Sequence, residues 1–310
     1  MNTTATGLSH AKIIFLGEHS AVYQKPAIVF PVPQIKAKAI ISSDGHNQLN
    51  SKYYSGPIST LPSSMNGLQT LINQLNKLLN RNNDPIDIEI DSEIPLGRGM
   101  GSSAATASAV TRAFFNFFKQ PISQKQLKSF TDVEEKITHG NPSGIDAKTV
   151  SSIKPILFEK GQFYDFPVST RGQLIIADTG VSSNTSTAVA MVRDEMDRHF
   201  QSTSELIDDL GNLVESAKSS LQSNQLEQTG KLMNLAQDDL TKLGVSLVEI
   251  NTLVNAANQA GALGAKLTGS GLGGCIIALS ASTTTTEQIK TALKQNGAHG
   301  VWIQSLNEMK

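Results

Sequence analysis

"IPLGRGMGSSAA", residues 94–105, joins an extended apolar run to an alanine-rich segment. Gly97, Gly99 and Gly101 have no Cβ, so the backbone there can take unusual dihedrals and bring its amides close to a ligand. "SSAATASAVTRAFFNFFK" (102–119) reads as a helix that starts where the loop stops, and Pro121 ends it. The first amides of a helix are unpaired and its dipole is positive there, so a phosphate group is a natural guest. The stretch therefore reads as a loop wrapped around an anion, the phosphates of a nucleotide. The plainer alternative is a flexible connection with a serine cap. Three glycines at alternate positions, followed by Ser102 and Ser103, favour the anion.

Familiar phosphate loops do not fit. No G-x-x-x-x-G-K-[ST] occurs, and after Gly99 and Gly101 the third glycine of a dinucleotide fingerprint is replaced by Ala104. A literal G-x-G-x-x-G stands at Gly269, Gly271 and Gly274, but it leads into the apolar run "CIIAL" and not into a helix. The protein-kinase signatures are missing.

Moving outward from the loop, "KIIFLG" (12–17), "QIKAKAIIS" (34–42) and "PIDIEID" (85–91) read as strands. Residues 68–80 place Leu71, Ile72, Leu75, Leu78 and Leu79 on one helical face. Residues 123–137 read as a helix capped by Ser123. A hairpin around Lys160-Gly161 is expected within 154–168, then a buried strand at 172–180. Residues 184–260 are helical in pattern, with breaks expected near Gly211, Gly230 and Gly244. Residues 265–280 read strand, glycine loop, strand, before a helix near 284–296 and the strand "VWIQ". Alternating strands and helices predict an α+β protein of two lobes, 1–168 and 169–310.

Composition narrows the functional classes. The 310 residues are 39% hydrophobic and 17% charged, a globular composition. Twenty-six Lys and Arg against 27 Asp and Glu give no basic surplus that would call for nucleic acid. No apolar run reaches the roughly 18 residues of a membrane helix, and the first twenty residues lack the features of a signal peptide. With a lone cysteine, Cys275, neither an intrachain disulfide nor a thiolate zinc cluster can form. A cytoplasmic protein without membrane or nucleic-acid partners is expected, and homodimer formation is left open.

Two further stretches carry chemistry. In "EEKITHGNPSGID" (134–146), Glu134 and Glu135 stand at a helix C-terminus, where the dipole opposes them. Glu134 reads as part of a solvated face. Glu135 suits Mg²⁺, which takes hard oxygen ligands together with nucleotide phosphates. Asp146 follows the turn Asn141-Pro142-Ser143-Gly144, where it could serve as a base. In "AKIIFLGEHSAVY" (11–23), Lys12 starts a strand, and Glu18, His19 and Ser20 follow it in a loop suited to substrate contacts.

Taken together and in this order, these stretches resemble the GHMP kinase superfamily. "PLGRGMGSSAA" is similar to its ATP motif, with Met100 where Leu is usual, and "KLTGSGLGGCIIAL" (266–279) to its C-terminal glycine motif. "AKIIFLGEHSAVY", "HGNPSGID", "NTSTAVAMVRD" (184–194) and "DDLTKLGVS" (238–246) resemble the branch that phosphorylates mevalonate. The resemblance implies a two-lobed α+β GHMP kinase fold, with an N-terminal lobe like ribosomal protein S5 domain 2 and a ferredoxin-like, helix-rich C-terminal lobe. It implies Asp146 as catalytic base with Lys12 beside it, and Mg²⁺ held by Ser103 and Glu135. Pro95, Leu96, Gly97, Arg98, Gly99, Met100, Gly101, Ser102 and Ser103, with Gly269, Ser270 and Gly271, would hold the phosphates of ATP. Glu18, His19 and Thr185 would line the mevalonate pocket. A sister kinase such as one for phosphomevalonate, or a non-catalytic metabolite sensor on the same fold, is the alternative. The sequence departs from the family's usual residues at His10, Ala11, Gln24 and Ser270-Gly271-Leu272.

Overall fold

The computed structural model describes residues 4–43, 45–79, 85–139 and 143–308. Packing sorts the chain into two units. Met1–Lys12, Pro31–Leu96 and Gly101–Ile153 form the first, and Ile13–Phe30, Gly97–Met100 and Lys154–Lys310 the second. The expected division at 168/169 falls inside the second unit, whose long continuous stretch starts at Lys154.

The elements up to the end of the first unit are β1 (Thr4–Leu16), β2 (Ala27–Ser42), β3 (Gln48–Ser51), β4 (Ser55–Pro57), α1 (Asn66–Leu78), β5 (Asp87–Ser92), α2 (Ser102–Phe117), α3 (Gln124–His139) and α4 (Ile145–Thr149). β4, β3, β5 and β2 lie side by side, and β1 pairs with β2. β1 is longer than the run 12–17 suggests, because the inward positions of its first half, Gly7 and Ser9, are buried without being apolar side chains. Gly7 sits against the backbone of Ala109, and Ser9 Oγ donates to the Val150 carbonyl at 2.8 Å. β2 runs through Pro31 and Pro33, residues that argue against a central strand. They are tolerated because they fall between the part paired with β5 (37–42) and the part paired further on in the chain (27–29).

Helix α2 is buried almost throughout, from Ala104 to Phe117. Its small residues let neighbours approach closely, and its aromatic end packs Phe115 against Phe130 of α3 in a tilted pair, centroids 6.0 Å apart. Ser123 caps α3 as expected: its hydroxyl accepts from the Gln126 amide at 3.2 Å, and Gln126 Oε1 accepts from the Ser123 amide at 3.0 Å.

The second unit continues with β6 (Ile156–Glu159), β7 (Gln162–Asp165), β8 (Gln173–Asp178), α5 (Thr185–Arg198), α6 (Phe200–Gln222), α7 (Leu226–Lys242), α8 (Val248–Gln259), β9 (Gly264–Thr268), β10 (Cys275–Ser280), α9 (Thr283–Gln295) and β11 (Gly300–Ser305). β6 and β7 form the expected hairpin, with Lys160 (φ 51°) and Gly161 (φ 75°) both left-handed at its turn. The start of β2 pairs with β6. A second, antiparallel sheet has the order β11-β8-β10-β9. Strand, helices, two strands, helix, strand is the ferredoxin-like plan, and the four helices α5–α8 fill its first crossover.

Two of the three helix breaks expected between 184 and 260 are absent. Gly211 lies within α6 and Gly230 within α7; only Gly244 (φ 78°) sits between helices. The first two mark close packing rather than interruptions. A Cβ on Gly211 would meet Lys25 at 3.1 Å, and one on Gly230 would strike the backbone of Leu263.

Candidate active site

The first unit gathers Lys12, Ser103, Glu134, Glu135 and Asp146. Lys12 is buried near the end of its part of β1, and Asp146 is the second residue of α4. Lys12 Nζ lies 2.9 Å from Asp146 Oδ1, while the Asp146 side chain remains 32% exposed. The lysine passes close under the start of α2, where a Cβ on Gly101 would come within 3.0 Å of Lys12 Cγ. Glycine at 101, left-handed at φ 71°, is therefore required twice, by the turn and by the lysine. Asn141 and Pro142 of the turn expected before Asp146 lie outside the described residues; Ser143 Oγ accepts from the Ile145 amide at 3.3 Å.

Glu134 is not on a solvated face. It is buried, its Oε2 accepts from the Ser103 hydroxyl, and its Oε1 accepts from the Thr138 hydroxyl at 2.7 Å. Glu135 is buried as well, and its Oε1 has no hydrogen-bond partner. Burial, reinforced by the negative charges of Asp146 and Glu134, pushes the Glu135 carboxyl up to about 9. Such a group invites a cation. Among the described residues no set of three or more His, Cys, Asp or Glu is arranged to hold a metal alone.

The second unit gathers residues 97–100, the 17–20 turn, Thr185 and the glycine turn after β9. Gly99 and Gly269 lie face to face: a Cβ on Gly99 would be 3.3 Å from the Gly269 Cα. Arg98 does not extend freely toward a ligand. Its Nε donates to Asp178 Oδ1 at 2.7 Å and its guanidinium to the Gly180 carbonyl at 2.9 Å, which ties the loop to the end of β8. Ser183 donates to the Gly271 carbonyl, and its amide donates to the Gly97 carbonyl at 2.7 Å. Met100 is buried and anchors the loop.

His19 and Thr185 converge on Ser270. His19 Nε2 carries its proton toward the Ser270 carbonyl, 2.9 Å away, and Thr185 Oγ1 is 3.4 Å from Ser270 Oγ. Burial lowers the His19 pKa, so the ring is neutral at pH 7. Glu18 has no exposed surface, and its Oε1 receives a hydrogen bond from Lys266 Nζ on β9. Sequence reasoning gave no role to Lys266, Ser183 or Asp178 and misjudged Glu134. The signal for Lys266 was available: a lysine amid the apolar strand "AKLTG" must find a counter-charge.

Residues 67–151 match the N-terminal domain of the GHMP kinases, and residues 217–299 match their C-terminal domain. The chain belongs to the GHMP kinase family. It is an ATP-dependent phosphotransferase acting on an alcohol. This GHMP kinase is 32% identical to a mevalonate kinase of Pyrococcus furiosus, over 93% of the chain and 92% of the relative. It matches a mevalonate kinase structure from methicillin-resistant Staphylococcus aureus MRSA252 at 30% identity and TM-score 0.78, covering 98% and 99% of the two chains. The fold also matches the L. major mevalonate kinase in complex with R-mevalonate, TM-score 0.85 at 23% identity over 98% and 96%. No helix among the described residues is long and apolar enough to cross a membrane.

Proposed function

We propose that this GHMP kinase is a cytoplasmic enzyme that transfers the γ-phosphoryl group of ATP to the C5 hydroxyl of (R)-mevalonate, giving 5-phosphomevalonate in the mevalonate route of isoprenoid synthesis. The observation that carries the reading is the pairing of Lys12 with Asp146 at 2.9 Å, in a chain whose curated relatives are mevalonate kinases. Asp146 takes the hydroxyl proton, and its partial exposure leaves room for an alcohol beside it. Lys12 orients that carboxylate and favours the developing alkoxide.

Phosphoryl transfer needs alignment and charge neutralisation more than covalent chemistry. Mg²⁺ would be held by Glu135 and the Ser103 hydroxyl, and the lone buried oxygen of Glu135 fits such an ion. When bound, it neutralises charge on the ATP phosphates. Ser103 donates its hydroxyl proton to Glu134, which leaves the oxygen lone pairs available to such an ion. The amides of 97–103 hold the phosphates, and fixed amide dipoles need no reorganisation during transfer. The glycine turn supports that loop, as the approach of Gly269 to Gly99 indicates.

An acceptor already bearing a phosphate would call for additional cations. Lys266, whose ammonium reaches Glu18 of the 17–20 turn, is fully buried and committed to that carboxylate, which favours mevalonate over phosphomevalonate. A coupled ADP-release assay against mevalonate, phosphomevalonate, galactose and homoserine tests the reading. Turnover is expected with mevalonate. Turnover with another acceptor in its place, or ATP binding with no turnover on any alcohol, overturns it.

A further inference from the structure

The Glu18–Lys266 pair is out of proportion to any need for stability. Both side chains are fully buried, and Lys266 has one further acceptor, the Leu267 carbonyl at 2.5 Å. A desolvated pair of this kind is often replaced by apolar residues with no loss of stability. Its position supplies the explanation.

Glu18 lies in the turn between Gly17 (φ 107°) and His19 (φ 58°, ψ −44°). A histidine in that conformation is strained, and it persists only where its surroundings impose it. The impositions come from alternate residues of one segment. Lys266 holds Glu18. Thr268 Oγ1 accepts from the Ile14 amide at 3.0 Å and donates to the Ile14 carbonyl at 2.8 Å. The Ser270 carbonyl holds His19 Nε2. Residues 266, 268 and 270 thus clasp residues 14, 18 and 19 by side chains where no backbone ladder joins them.

We propose that Lys266 is a positioning residue for the acceptor alcohol: through Glu18 it fixes the strained 17–20 turn, so that His19 and Thr185 meet the substrate in one geometry around Ser270. The inference rests on the reading that His19 and Thr185 bind mevalonate. It changes the role of Glu18, whose carboxylate acts on the substrate through the turn and not by contact.

The test compares Lys266→Met with the double variant Lys266→Met/Glu18→Gln. The single variant leaves a buried carboxylate without its cation and is expected to melt at lower temperature. The double variant carries neither charge and should recover most of that loss, yet keep KM for mevalonate raised about tenfold or more, with KM for ATP within about twofold, because a small misplacement of a binding group is costly. Mevalonate affinity by calorimetry should fall in parallel. A double variant with the wild-type KM and affinity for mevalonate overturns the proposal. Lys266→Gln, neutral and of similar length, stands in if the Met variants do not fold, and the same outcomes decide it. His19→Ala is measured alongside. If it raises KM for mevalonate and the Lys266 variants do not, positioning by Lys266 fails alone; if it too leaves that KM unchanged, the pocket reading has failed.

Discussion

Asp146 and Lys12 come from distant parts of the sequence, a short helix and the first strand, yet their charged atoms are 2.9 Å apart. No periodicity or spacing could have joined them; the family motif did, and folding explains how. Asp146→Asn keeps shape and removes basicity, so kcat should fall about 10²–10⁴-fold with the dissociation constant for ATP largely unchanged. Turnover near the wild-type rate would remove Asp146 from the mechanism. Glu135→Gln should raise the divalent-ion concentration needed for half-saturation by about tenfold or more, read both from activity and from Mn²⁺ binding by electron paramagnetic resonance in the presence of ADP. An unchanged Mn²⁺ titration would dissociate Glu135 from the metal. What the sequence hid at this scale was burial. Glu134 and Glu135 are neighbours in a polar stretch and look alike, but both are buried. One is satisfied by Ser103 and Thr138, and the other retains an oxygen without a partner. Distinguishing them required the third dimension.

Elements with strong local signals were legible: the capping box at Ser123, the hairpin at Lys160-Gly161, and the strand-turn-strand of β9 and β10. The failures are instructive because each has a packing cause. A glycine in a helical pattern reads as a break, since it lowers helix propensity by about 1 kcal/mol relative to alanine. At Gly230 the pattern was obeyed and the glycine retained, because α7 approaches the backbone of Leu263 and Gly264 too closely for a Cβ. Gly230→Ala should therefore destabilise the protein by about 1–3 kcal/mol despite its better propensity, measured as a lowered denaturant midpoint. A stabilised variant would show that α7 can withdraw from β9 without cost. Cys275, at the start of β10, offers a second element-scale test. Burial, with the charge of Asp178, pushes its thiol well above the ordinary value. Thiol reagents should leave the native protein untouched and titrate one sulfhydryl after denaturation. Rapid native labelling would mean that β10 opens.

For the whole molecule, the sequence foretold two lobes but not how the chain is divided between them. β1 and β2 each begin in one unit and end in the other, and four loop residues, 97–100, belong to the second unit while the helix that follows belongs to the first. Interleaving of this kind leaves no composition shift to find, because a single strand is continuous in hydropathy whichever unit claims each part. Among the described residues each unit contains one buried histidine whose pKa is lowered chiefly by desolvation, His10 in the first and His19 in the second. Unfolded, both rings would titrate near the ordinary 6.5; folded, both titrate lower. Between those values the unfolded chain binds more protons than the native one, so stability must fall as pH drops through 6.5 and continue to fall until the folded rings are themselves protonated. Well above 6.5 the two rings are neutral in both states and contribute no pH dependence. Denaturant midpoints taken from pH 7.5 down to about 5 should decline, and His10→Gln/His19→Gln should flatten part of that decline. A wild-type curve level across the range would mean that one or both rings reach water in the native state. The mevalonate reading would then lose its neutral His19, whose proton is committed to the Ser270 carbonyl only while the ring stays uncharged and buried.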